Sequence, residues 1–207
     1  MNAAAPTPPL APSERADLIT KDMVRWLERA VIGLNLCPFA KGVHAKGQIH
    51  YAVSAATDAV ALAQDLRREL ADLAAAPAEV RDTTLLMAPD CLQDFLEFND
   101  FLGLAEDVLE ELDLDGTLQI ASFHPQFQFA GTDAGDVTNC TNRAPYPTLH
   151  LLREDSIDRA VQAYPEAEAI YERNMEVLEK LGMPGWQALD VGVNTAASTP
   201  DLPKDPA

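Results

Sequence analysis

The stretch from Thr117 to Glu154, TLQIASFHPQFQFAGTDAGDVTNCTNRAPYPTLHLLRE, decides the fold. It opens on a strand pattern over about Thr117–Phe123 and closes on another over about Thr148–Arg153, with no helical period between them. Strands joined without a crossover helix do not fit an all-parallel sheet. Asp115-Gly116 supplies the turn before the first of them. Within the connection, FQF at 127–129 offers a further short strand, and residues 131–147 read as a long loop.

Working upstream, strands and helices alternate. TTLLMAP, from Thr83, is a short buried-type strand stopped by Pro89. A highly acidic helical stretch follows over about Leu92–Leu112, with Gly103 as a place for a bend. QIHYAVS puts Ile49, Tyr51 and Val53 on one face of a strand. Between these two strands Thr57 is expected to cap a helix whose apolar face is Val60, Ala63, Leu66, Leu70 and Leu73. Ile19, Met23, Trp26, Leu27, Ala30 and Leu34 define an amphipathic helix over about Asp17–Leu34, and Gly42 and Gly47 punctuate a loop after it. Downstream, helices are expected from about Ser156 and over Pro165–Leu181, with Gly182 as a left-handed cap residue and Pro184 beyond it. Strand–helix–strand alternation implies at least one parallel pair. The expected fold is therefore α+β: a mixed four- or five-stranded sheet with packed helices, forming one domain over residues 14–187. Residues 1–13 and 188–207, rich in Pro, Ala, Ser and Thr without periodicity, read as disordered tails.

Composition narrows the function classes. The 207 residues are 47% hydrophobic and 23% charged, enough to bury a core. Acids outnumber bases 33 to 15, for a formal net charge of -18, and no Lys or Arg occurs between Arg81 and Arg143. Nucleic-acid binding gains its energy by neutralising phosphates with cations, so this balance argues against nucleic acid and against anionic membrane surfaces as partners. No apolar run reaches the roughly 18–20 residues that span a bilayer. Three scattered cysteines without a C-x-x-C pair suit free thiols in a reducing compartment, so a soluble cytoplasmic protein is expected.

The chemistry-capable residues concentrate between His124 and His150. His124 ends a strand in which Leu118, Ile120 and Ser122 share its face, a position suited to a general acid/base or, equally, to a histidine tied to the backbone at the sheet edge. Asn142 and Arg143 sit in TNRAPYP, where Pro145 and Pro147 stiffen the chain; a guanidinium held there suits a carboxylate or phosphate, or a salt bridge to Asp133 or Asp136. His150 lies within an apolar strand on the face of Thr148 and Leu152, and reads either as a hydrogen-bonded core residue or, if its strand pairs with Thr117–Phe123, as a partner of His124 in one site. Cys37, in LNLCPFA at the end of the first helix, reads as a buried small hydrophobe or as a nucleophile or metal ligand. A helix C-terminus disfavours its thiolate. No nucleotide-binding, nucleophile-elbow or HExxH motif is present, and no metal-ligand spacing stands out.

LNLCPFA (34–40), FHPQFQFAG (123–131) and TNRAPYPTLHLLRE (141–154) together resemble an uncharacterised, mostly bacterial family, the domain of unknown function 1415, over roughly residues 18–181. That resemblance implies no particular activity. It places Cys37, Pro38, His124, Pro125, Asn142, Arg143, Pro145, Tyr146, Pro147 and His150 in the family's signature stretches. The leading expectation is a small-molecule enzyme acting on an anionic substrate, with His124, His150 and Cys37 as candidate catalytic groups. Asn142, Arg143 and Tyr146 would bind the ligand. The alternatives are a non-catalytic binding domain for an anionic metabolite or a metal ion, and an acidic interaction module built on the Leu92–Leu112 helix.

Overall fold

The computed structural model describes residues 10–163 and 169–193. The expected start of a helix at Pro165, and the tails at 1–9 and 194–207, lie outside the described residues. The rest forms a four-stranded mixed sheet with packed helices, in the order α1 Pro12–Trp26, α2 Ala40–Ala45, β1 Ile49–Val53, α3 Ala59–Ala75, β2 Thr83–Met87, α4 Phe95–Glu111, β3 Leu118–Phe123, β4 Thr148–Arg153, α5 Glu154–Ala163 and α6 Ile170–Ala188. The spatial order is β1-β2-β4-β3. β1 and β2 run parallel across the α3 crossover, and β4 inserts antiparallel between β2 and β3. β2 is therefore central, which is why Thr83–Met87 is buried at every position instead of alternating.

The strand period of two divides the sheet into two apolar faces. Leu86, Leu118, Leu149 and Leu151 face α3 and α4, where Leu62, Leu66, Leu70 and Leu73 meet Phe98, Phe101, Ala105 and Val108. Each fully buried leucine contributes roughly 1.5–3 kcal/mol of transfer free energy. On the opposite face Leu85 and Met87 pack with Ile19, Met23, Trp26 and Ala30 of the first helix. The periodicity that marks α1 and α3 in sequence is thus the pattern of their contact with the sheet.

Several local details differ from expectation for identifiable reasons. The first helix begins at Pro12, inside the stretch assigned to a tail: Pro12 occupies the first turn, and the Glu14 carboxylate accepts the Ala11 N–H at 3.0 Å. α3 is capped by Asp58 rather than Thr57, its carboxylate accepting the Ala61 N–H at 2.8 Å. α4 starts at Phe95 on an Asp94 cap that accepts from Leu96 N and Glu97 N, and it runs through Gly103 as one helix. FQF forms no strand; Phe127 and Phe129 instead stack edge to face at 4.9 Å. The loop between β3 and β4 contains a 3-10 turn over Val137–Asn142, capped by Asp136. Gly182 does adopt a positive φ of 66°, and a further helical turn follows it to Ala188.

The first helix continues from Leu27 to Ile32 as a π-helical segment, and it ends at Gly33. A β-carbon at Gly33 would lie 2.2 Å from the Arg29 carbonyl oxygen, so the wide turn closes only over a residue without one. Beyond Gly33 the helix does not continue: Leu34 and Leu36 pack with Cys140 and Leu178, while Cys37 and Ala40 pack with the cluster on the α1 face of the sheet. This segment, with α2, walls one side of a cavity described below. Among the described residues no helix is long and apolar enough to cross a membrane.

Candidate functional site

The register settles which of the candidate side chains can meet. His150 lies opposite Ala121 of β3 and Leu85 of β2, and so faces α1. His124 continues the parity of Leu118, Ile120 and Ser122, and its ring stacks against Phe95 and Phe98 of α4 at centroid distances of 5.5 and 5.1 Å. The strands do pair as the shared-site idea required, yet pairing in this register sends the two histidines to opposite faces of the sheet.

His124 is 0% exposed, and both ring nitrogens are engaged. Gln126 N donates to Nδ1 at 3.0 Å, which leaves Nε2 to carry the proton and donate to Leu92 O at 3.1 Å. Burial lowers its pKa, partly offset by the Leu92 carbonyl and by Asp94. The ring fixes the turn ahead of α4, where Leu92 holds a positive φ of 53°. With no nitrogen left for a substrate, His124 belongs to the core.

Arg143, Asn142 and Tyr146 are also tied into the protein. Arg143 Nε donates to Phe127 O at 3.1 Å and Nη2 to Ala134 O at 2.6 Å, so the guanidinium staples the long loop. Its backbone carbonyl accepts from Trp26 Nε1 at 2.8 Å. Asn142 Nδ2 donates to Ser122 O at 3.3 Å, and Asn142 O accepts from His124 N. Tyr146 Oη donates to Asp22 at 2.9 Å, inside a buried group that also holds Arg25, 3.0 Å from the same carboxylate. Burial and Asp22 raise the Tyr146 pKa. Arg143 also borders a second cavity of about 490 Å³, with Asp94, Gln126 and Gln128. Asn139, which sequence reading passed over, orders the same loop: fully buried, it accepts from Phe129 N and Thr132 Oγ1 and donates to Asp133 O.

Two candidates do converge. His150 and Cys37 line one half-enclosed cavity of about 720 Å³ on the α1 face. Its floor is the sheet, through Thr83, Leu85, Leu152, Gln119, His150 and Phe123. Its walls are Trp26, Leu27 and Val31 of the first helix, Phe39 and Val43 around α2, and Ile157 and Ala160 of α5. The volume falls within the roughly 300–1,000 Å³ of small-molecule sites, and the lining is mostly apolar with few polar groups, as such sites are. The sequence signal that could have located it was present but weak: apolar residues on the outer face of β3 and β4 with more apolar helix surface than one sheet face needs.

His150 is enclosed yet open to this cavity. Its ring meets Phe123 at 5.8 Å, and among the described residues no group hydrogen-bonds either nitrogen. Neither nitrogen is sealed, since Tyr51 Oη is the one buried side-chain polar atom without a partner among those residues. Loss of hydration pushes the His150 pKa down to about 4, so the imidazole is neutral near pH 7, with one nitrogen donating and the other accepting.

Cys37 departs from the expected setting. Rather than lying under a helix C-terminus, it sits just ahead of α2, where the Ala40 N–H donates to the Cys37 carbonyl at 3.3 Å. Burial raises the thiol pKa, partly offset by the backbone N–H groups of Phe39 and Ala40. All three cysteines are free. Among the described residues no three His, Cys, Asp or Glu side chains gather as a metal site. No curated protein and no solved structure matches the chain. A family model does match, over residues 18–188, and on that match the chain belongs to the protein family of unknown function DUF1415.

Proposed function

We propose that this chain is a small-molecule-binding protein whose ligand, a largely apolar organic molecule, occupies the cavity between the sheet and the first helix. One observation carries the reading: a ligand-sized apolar cavity with an unpartnered histidine on its floor. A ring nitrogen that faces an apolar cavity takes its hydrogen bond from whatever occupies that cavity, so a ligand supplying the partner is favoured. An enzyme is the catalytic form of the same reading. In it Cys37 is the nucleophile and His150 a neutral hydrogen-bonding group that orients the substrate, both on the cavity lining. An anionic substrate group would then meet Lys46 on the cavity lining, because Arg143 is committed to loop carbonyls. The free thiols, together with the family resemblance, support a cytoplasmic setting in a bacterial cell. The acidic balance supports a partner that is neither nucleic acid nor membrane.

The test is saturable uptake of Nile red, a neutral apolar dye, by the full-length protein. One dye should bind per chain, with blue-shifted emission. Ala160→Trp and Val43→Trp, each projecting an indole into the cavity, should abolish uptake while circular dichroism stays native. Undiminished uptake in both folded variants would defeat the reading.

A further inference from the structure

The floor of the cavity carries a second hydrogen-bonding side chain. Gln119 lines it beside His150, and among the described residues its amide likewise has no hydrogen-bond partner. The sheet register fixes their relation. Ala121 lies opposite His150 and Gln119 opposite Leu152, so Gln119 is the diagonal neighbour of His150 on the same face. Diagonal neighbours on adjacent strands stand roughly 7–8 Å apart at their α-carbons. Side chains of this length can therefore reach one small group between them. The other polar side chain central to the floor, Thr83, is satisfied internally, donating to Leu151 O at 2.6 Å.

The charged groups of the lining are elsewhere. Asp82 accepts from Ser156 Oγ at 2.6 Å, and Lys46 follows α2 on an exposed position. Neither belongs to the β3–β4 pair that carries His150 and Gln119. Both floor groups are uncharged near neutral pH, and each offers one donor and one acceptor function. A carboxylate brings acceptors only and would enter this apolar space as an uncompensated charge, which is costly. A primary carboxamide brings both functions without charge.

Resting on the cavity reading above, we infer that His150 and Gln119 form a two-point seat for an uncharged donor–acceptor head group, of carboxamide or lactam type. The apolar body of the molecule packs against Trp26, Phe39 and Phe123.

The inference is tested by isothermal titration of the full-length protein with three probes of one shape: naphthalene, 1-naphthamide and 1-naphthoate. Each new hydrogen bond in a desolvated site is expected to strengthen binding several-fold, so the amide should bind about 5–30-fold tighter than the hydrocarbon. The carboxylate should bind more weakly than the amide. His150→Phe and Gln119→Leu should each reduce the amide's advantage several-fold while leaving naphthalene affinity within about twofold. Naphthalene binding as tightly as the amide overturns the seat and leaves the cavity reading standing. So does an amide advantage that survives both substitutions. Tighter binding of 1-naphthoate, abolished by Lys46→Met, would move the head group to the rim and overturn the seat equally. Binding of none of the three, the result expected if a segment of the chain itself fills the cavity, overturns both readings.

Discussion

Acidification should destabilise this protein through His150 in a window set by its burial. In the unfolded chain the imidazole has an ordinary pKa near 6.5, whereas in the folded protein burial holds it at about 4. The unfolded state therefore binds the proton more tightly over that interval, and stability falls as pH falls. Above about pH 6.5 the group contributes no penalty; the loss accumulates on descending from there and levels off below about pH 4. At pH 5 the unfolded histidine is almost wholly protonated and the folded one only about a tenth, so stepping from pH 7 to pH 5 costs roughly 2 kcal/mol. The assay is urea unfolding followed by tryptophan fluorescence, in the wild type and in His150→Phe, at pH 7, 6 and 5. His124, whose pKa is also lowered, titrates in both proteins and cancels in the comparison. The variant should lose about 2 kcal/mol less than the wild type over the two pH units. Parallel profiles would refute the argument, since they would mean that His150 is hydrated or partnered in the folded state.

Three further outcomes follow from the same geometry. His124→Phe keeps the ring packing but orphans Gln126 N–H and the Leu92 carbonyl, so it should cost about 2–4 kcal/mol in urea unfolding while Nile red uptake stays intact. Lost uptake in a folded His124→Phe protein would contradict the assignment of this histidine to the opposite face. Arg143→Met removes the donors to Phe127 O and Ala134 O; hydrogen exchange should quicken over 127–139, with a stability loss of about 1–3 kcal/mol and no change at β1 or β2. Cys37, its thiol pKa raised by burial, should react with iodoacetamide at pH 7.5 at least tenfold more slowly than glutathione, scored by peptide mass spectrometry, and a cavity ligand should slow it further. Alkylation at the rate of an exposed thiol, unaffected by ligand, would show that Cys37 does not line the closed part of the cavity.

The element order was legible because each signal is local. Leu62, Leu66, Leu70 and Leu73 repeat at helical spacing, and Ile49, Tyr51 and Val53 alternate, whatever the rest of the chain does. Caps were less secure, since Thr57 and Asp58 are both good acceptors and only the φ/ψ of the helix start chooses between them. The π-helical turn at Leu27–Ile32 was invisible for a different reason. Its residues have ordinary helical propensities, and the wide turn arises from how Gly33 and the following segment pack.

Taken by itself, the sequence determined an acidic chain with a mixed α+β sheet, three free-standing thiols and a polar, proline-stiffened connection between β3 and β4. It also singled out Cys37 and His150 by residue type. Which of the candidate residues face one another was decided only by the tertiary structure. A strand turns each side chain by half a revolution per residue, so one step of register separates a shared site from opposite faces, and register depends on partners distant in the chain. That step sent His124 into the α4 core and left His150 in the cavity with Cys37 and Gln119. The same loop that looked most like a site in sequence spends Arg143 and Asn139 on its own backbone carbonyls and amides, and Asn142 on the Ser122 carbonyl of β3. Long connections expose peptide groups that need partners, and only the folded arrangement shows whether a polar side chain serves those groups or a ligand.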